Sequence, residues 1–132
     1  MMVHVPVSVG ELVDKITILR IKLAHVRTDT QTHNISTELS QLTTILDQLA
    51  LPVDIATHTA QLHAINQDLW TIEDAKRQHE KLQLFDSAFV ELARAVYIKN
   101  DQRAAIKRQI NQITLSDIVE EKMYDVYTNN AV

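Results

Sequence analysis

The residues that could carry out chemistry lie in two short stretches, one near each end of the chain. The first is the start of a predicted helix, where Ser8 precedes Glu11 by three residues, as in a capping box. The backbone amides of a first helical turn can hold a phosphate or a carboxylate. Gly10, the single glycine, lets another group approach these amides closely, and Lys15 follows nearby. An ordinary capped helix start is the simpler interpretation of the same residues.

The second stretch is the most basic part of an otherwise acidic chain. Arginine and lysine recur between residues 94 and 108, with a tyrosine and an asparagine among them. Such a cluster can hold an anion through charge-assisted hydrogen bonds. The two stretches together form our candidate site for an anionic ligand, which consists of Ser8, Gly10, Lys15, Arg94, Tyr97, Lys99, Asn100, Arg103 and Lys107.

Other kinds of site find no support in the sequence. The 6 histidines include no pair four residues apart, so we expect no metal site. There is no cysteine and no serine in a G-x-S-x-G motif, which removes the usual signatures of a nucleophile. A single glycine cannot supply a phosphate-binding loop. We therefore expect no cofactor, assign no catalytic residue, and favour a protein that is not an enzyme.

Composition indicates one helical domain of 132 residues. One glycine, two prolines and 5% aromatic residues are few for a sheet protein, which needs turns and favours aromatic side chains. A net charge of −4 argues against a nucleic-acid partner. The start of the chain has neither a basic segment nor a long apolar run, so we expect no signal peptide, no membrane span and a cytoplasmic location.

Apolar residues recur at alternating spacings of four and three and predict three long helices before residue 85. The first lies between Val7 and Val26. A polar connection, residues 28–34, then leads to a second helix that Leu51 and Pro52 terminate. Asp54 is expected to cap a third helix that extends to about Leu84.

The fourth apolar pattern, which Asp86 caps, contains two cations at positions where apolar residues are expected. Phe89 begins the pattern, but Lys99 and Arg103 interrupt it before it resumes. In a continuous helix, these charges would need partners, because an unpaired buried charge is too costly. A helix break at Asn100–Asp101 avoids this cost, since asparagine can end a helix and aspartate can cap the next. We favour the break.

The two ends of the chain complete the predicted architecture. Residues 1–7 form an extended arm, with coil preferred over a strand, and a short last helix is expected from Ser116 to Tyr127. Residues 128–132 should fray. The predicted fold is all-α, an elongated antiparallel helical bundle with a coiled-coil-like hairpin and short C-terminal helices, and it occupies residues 1–132 as a single domain.

The first helix carries more apolar surface than one helix contact requires. Ile18 and Ile21 point away from its main apolar stripe, and Trp70 likewise lies off the stripe of the third helix. A helix with two apolar faces is either central in its bundle or shared with a second chain. The second alternative predicts a homodimer or another protein partner.

Four segments together resemble a small family of bacterial proteins of unknown function. They are VPVSVGELVDKITILRIKLAHV, DLWTIEDAKRQHE, FVELARAVYIKNDQRAAIKRQIN and EEKMY. The resemblance covers both ends and the middle of the chain, but not residues 28–59. It implies a connection with glycosyltransferases and cell-surface polysaccharide genes, near which members of the family are found, and it implies no catalytic residue.

Three functions are compatible with these observations. The preferred one is a non-catalytic interaction protein, dimeric and accessory to enzymes that build cell-surface polysaccharides. The alternative is a bundle that binds or converts an anionic small molecule, as helical chorismate mutases do on a related architecture, although their motif is absent. Nucleic-acid binding through residues 94–108 comes third, because aromatic residues are not interleaved with the basic ones.

Overall fold

Four α-helices account for most of the computed structural model, which describes residues 1–52 and 54–127. They are α1 (Val9–Leu23), α2 (Asp29–Asp47), α3 (Ile55–Leu82) and α4 (Ser87–Ile113). No strand occurs in either described range. The predicted all-α helical bundle is confirmed.

Helix α1 is the central element of the bundle. The Ser8 hydroxyl caps it by accepting a hydrogen bond from the Glu11 amide at 3.0 Å. α1 packs against α2, α3 and α4, whereas α2 packs against α1 alone among the described helices. Most of the buried apolar side chains belong to α1, among them Ile16 and Ile21. Its two apolar faces therefore follow from its central position, and they no longer argue for a second chain.

Helices α3 and α4 form a hairpin that is about twice as long as α1. They contain 28 and 27 residues, or about 40 Å each at 1.5 Å per residue, against 15 residues and about 22 Å for α1. The core lies where Val13 of α1 packs against Leu62 and Ile110 of the hairpin, both fully buried. Between residues 67 and 109 no side chain is buried. The far end of the hairpin, residues 76–94, is called the hairpin tip below.

Helix α4 is continuous, so the favoured break at Asn100–Asp101 is wrong. The two cations that prompted it each have a carboxylate on a neighbouring helix. Lys99 Nζ lies 2.9 Å from Asp68 on α3, and Arg103 Nη2 lies 2.8 Å from Asp14 on α1. Paired cations remove the cost that made a break attractive.

Helix α2 begins at Asp29, so the predicted connection over residues 28–34 is also wrong. The Thr28 hydroxyl caps the helix by accepting a hydrogen bond from the Gln31 amide at 3.1 Å. The first two turns of α2 are exposed and polar. Because they carry no apolar stripe, apolar periodicity does not indicate that these turns are helical.

The short last helix predicted over residues 116–127 is absent, and these residues form an irregular strap along α4. Leu115, with φ of 54°, turns the chain after α4, and the Ser116 amide donates to the Asn111 carbonyl at 2.9 Å. Met123 and Tyr124 of this segment are 88% and 85% exposed. Its charged side chains hold the strap in place: Glu120 accepts a hydrogen bond from Ser8, while Glu121 and Lys122 pair with Arg108 and Asp101 of α4. The predicted fraying of residues 128–132 lies outside the described residues.

The N-terminal residues 1–7 form neither helix nor strand and lie beside α2. Val3 and Val5 line a shallow groove there together with Leu42 and Ile45. Across the described residues, no helix has the length and apolar character needed to cross a membrane.

Gly10 allows α1 and α4 to approach each other closely. A Cβ atom at this position would lie 2.5 Å from the Lys107 carbonyl oxygen and 2.9 Å from Asn111 Oδ1.

Gly10→Ala would stabilise an isolated helix by up to about 1 kcal/mol, because alanine has the higher helix propensity. In this protein we expect it to lower the free energy of unfolding by about 1–3 kcal/mol through overpacking. Urea unfolding followed by circular dichroism measures the sign, and a stabilised variant would contradict this packing.

Candidate functional site

The start of α1 meets the last turns of α4, and this contact brings part of the predicted anion site together. The Gly10 amide donates to Asn111 Oδ1 at 2.7 Å, while Arg103, two turns earlier on α4, reaches Asp14. The two helices are therefore antiparallel. Ser8, Gly10, Arg103 and Lys107 lie along this one interface.

Asp14 is the centre of the polar contacts at this interface. Its side chain is 1% exposed and accepts hydrogen bonds from Arg103 Nε and Nη2, the shortest at 2.8 Å. Asn66 Nδ2 donates to it from α3 at 2.8 Å. Asn66 also donates to the Thr17 hydroxyl at 2.9 Å. One carboxylate of α1 thus binds both helices of the hairpin.

Lys107 extends these contacts by one turn toward the start of α1. Its ammonium group lies 2.5 Å from Glu11 Oε2 and 3.8 Å from Asp14 Oδ2. Two cations of the basic stretch are therefore paired with two carboxylates of α1. We call Glu11, Asp14, Thr17, Asn66, Arg103 and Lys107 the Asp14 network.

The first-turn amides of α1 bind side chains of the same protein. The Val9 amide donates to Ser116 Oγ at 3.2 Å, and the Gly10 and Glu11 amides donate to Asn111 and Ser8. The Ser8 hydroxyl itself donates to Glu120 of the strap at 3.0 Å. An anion at this helix start would have to displace these groups.

The remaining predicted site residues lie on other faces of the bundle. Lys15 is exposed and lies 4.0 Å from Glu11, while Lys99 pairs with α3. Arg94 pairs with Glu91 at 3.1 Å, and hydrogen bonding first to Tyr97 and then to Glu91 raises the pKa of its guanidinium group. The Tyr97 ring faces that of Tyr127, with centroids 5.5 Å apart.

Asn100 belongs with the gathered residues, because its side-chain oxygen accepts a hydrogen bond from Arg103 Nη1 at 3.3 Å. Five of the nine candidates thus lie at the α1–α4 interface, and Lys15, Arg94, Tyr97 and Lys99 do not.

Two buried amides were not among the predicted site residues. Asn66 and Asn111 are 5% and 2% exposed, and each binds a residue of α1. Both directly follow an isoleucine of an apolar stripe, namely Ile65 and Ile110. Their position beside an apolar stripe was the only sign in the sequence that these amides are buried. Their binding partners could not be predicted, because they lie on another helix.

The residues of the Asp14 network bind one another through ion pairs and hydrogen bonds. Within residues 1–52 and 54–127, every buried polar side-chain atom has a hydrogen-bond partner. The same ranges contain no group of three residues that could hold a metal ion. The network holds α1, α3 and α4 together, and Arg103, with 28% of its side chain exposed, connects it to the surface.

Comparison with known proteins gives one match. The model of the Family of unknown function (DUF6165) matches residues 3–131. No curated protein and no solved structure shows significant similarity to the chain. The family match confirms the resemblance to a small family of unknown function.

Asp14→Asn tests whether the Asp14 network stabilises the fold. We expect the free energy of unfolding to fall by about 3 kcal/mol, because the change leaves the largely buried guanidinium group of Arg103 without its charge partner. Asp68→Asn is the matched control. It removes the carboxylate that pairs with Lys99, and the Asp68 side chain is 53% exposed. Exposed ion pairs contribute at most about 1 kcal/mol to the free energy of unfolding. Equal losses in urea unfolding would contradict the role given to Asp14.

Proposed function

The chain belongs to the Family of unknown function (DUF6165), and we propose that it is a non-catalytic interaction protein that self-associates through the hairpin tip. The observation that supports this most is the exposure of large apolar side chains at the tip. Leu82 and Leu84 are 64% and 47% exposed, and Phe85 and Val90 are 53% and 50% exposed. Contiguous exposed apolar residues are typical of protein interfaces.

The architecture explains why these side chains have no cover within the chain. Two helices bury only the surface between them, and no side chain of the tip is buried. Phe85 and Phe89 form an edge-to-face pair, with ring centroids 5.3 Å apart, which gives the tip a defined aromatic surface. Buried aromatic side chains often supply much of the binding free energy at interfaces.

The charges of the tip favour a second copy of the chain as its partner. The tip contains four basic residues (Lys76, Arg77, Lys81 and Arg94) and three acidic ones (Glu80, Asp86 and Glu91). In a two-fold symmetric contact the same surface faces itself. A surface of one sign would repel its copy, whereas a surface that carries both signs can pair its charges with it. Two hairpins packed tip to tip would complete a four-helix arrangement around their apolar residues.

Light scattering after size-exclusion chromatography tests the self-association. We expect a mass of twice the 15.1 kDa of one chain at high protein concentration. Phe85→Glu should weaken the dimer by about 30-fold or more, because it places two charges in the apolar contact. Met123→Glu is the matched control, since Met123 is exposed on the strap and away from the tip. A wild-type monomer at all concentrations, or equal weakening by both variants, would contradict the proposal.

We further propose that the dimer is accessory to cytoplasmic enzymes that build bacterial cell-surface polysaccharides. This step is supported by the family resemblance of the four segments quoted above. The exposed apolar side chains of the strap, including Met123 and Tyr124, offer a second surface for such an enzyme. The protein would then bridge two enzyme molecules.

Deletion of the gene in its host tests this role. We expect the amount of surface polysaccharide to fall and to recover on complementation with the wild-type gene. The Phe85→Glu variant should not restore it, because a monomer cannot bridge two enzymes. Unchanged polysaccharide in the deletion strain would contradict the role in synthesis, while leaving the self-association to be decided by light scattering.

A further inference from the structure

We propose that a groove between α1 and α3 binds a small molecule with an apolar body and a single carboxylate. The groove has a volume of about 400 Å³ and lies at the edge of the Asp14 network. Ile18, Ile21, Leu69 and Trp70 supply its apolar lining, and Arg103 and Asn66 supply its polar part. Small-molecule sites are mostly apolar, with a few polar groups that fix orientation, and this volume is within their usual range.

Arg103 lines this groove and has hydrogen-bond donors that the network does not use. A guanidinium group carries five N–H donors. Asp14 accepts from Nε and from Nη2, and Asn100 accepts from Nη1. One N–H on each terminal nitrogen has no acceptor among the residues that the structure describes.

The network also holds Arg103 in place before any ligand arrives. The guanidinium group is fixed along one edge by the buried Asp14 carboxylate, while 28% of the side chain remains exposed. A fixed cation loses little conformational entropy on binding. It therefore binds a carboxylate more tightly than a mobile surface arginine would. Planar guanidinium groups suit carboxylates in particular, because they can donate two parallel hydrogen bonds.

The charges at the rim limit the ligand to one negative group. Glu73 and Arg77 form an ion pair at 2.9 Å, and Asp74 adds a further negative charge beside them. A polyanion such as a nucleotide would face Asp74 with its second charge. A monocarboxylate with its charge at Arg103 and its apolar body along Leu69 and Trp70 avoids this repulsion.

Arg103 of the predicted anion site lines the groove, whereas the start of α1 does not. It does not depend on self-association, because the groove and the hairpin tip share only Arg77 among the residues that line the groove. A folded Phe85→Glu variant should therefore bind the ligand as the wild type does.

Fluorescence of Trp70, the single tryptophan, reports binding directly. The probe is 3-phenylpropionate, and its neutral amide is the matched control ligand. We expect a saturable change in emission with the carboxylate and at least about 10-fold weaker binding of the amide, since the amide cannot form the charge-assisted contact. No saturable change with the carboxylate up to about 10 mM, or equal affinity of the two compounds, would overturn the proposal.

Substitutions in the groove give a second, independent measurement. Arg103→Gln also removes the partner of Asp14 and lowers stability, so Ile18, which is only partly buried, is the better position for a binding test. Ile18→Glu places a negative charge in the groove, and Ile18→Gln is its neutral control of similar size. With both variants shown to be helical by circular dichroism, we expect at least about 10-fold weaker carboxylate binding by the Glu variant than by the Gln variant. Equal affinities would overturn the proposed site.

Discussion

Asp14 carries a carboxylate that is 1% exposed, and a buried carboxylate requires partners, because an unpaired charge there costs several kcal/mol. Its partners come from both helices of the hairpin, Asn66 from α3 and Arg103 from α4. A shift of α1 by one turn would separate all three side chains. The pairing therefore fixes the relative positions of α1, α3 and α4, whereas α2 has no part in it and packs against α1.

The same contacts divide the molecule into a tightly held part and an exposed part. Around the start of α1, the amides and the cations Arg103 and Lys107 are bound to other groups of the chain. Beyond α1, the hairpin continues with apolar side chains in solvent. The proposed binding surfaces, the hairpin tip and the α1–α3 groove, therefore lie outside the tightly held part. Arg103 connects the two parts, since it is held by Asp14 and still reaches the groove.

Apolar periodicity predicted where the four main helices lie, but the cations in the fourth pattern led to the wrong break at Asn100–Asp101. It was insufficient where polar contacts decide the structure. The first turns of α2 have no apolar stripe, and residues 116–127 have helical spacing but bind by their charges instead. For the candidate site, the sequence indicated Arg103 but could not indicate Asn66 or the pairing with Asp14. Asp14 lies 52 positions from Asn66 and 89 positions from Arg103, and the three residues meet only through helix packing.

A double-mutant cycle on Asp14 and Arg103 tests most directly whether this one pair organises the fold. The free energies of unfolding of the wild type, Asp14→Asn, Arg103→Gln and the double variant are measured in urea. We predict a coupling free energy of about 2 kcal/mol or more, since each single change leaves a buried partner unsatisfied. Additive effects within about 0.5 kcal/mol would contradict the account.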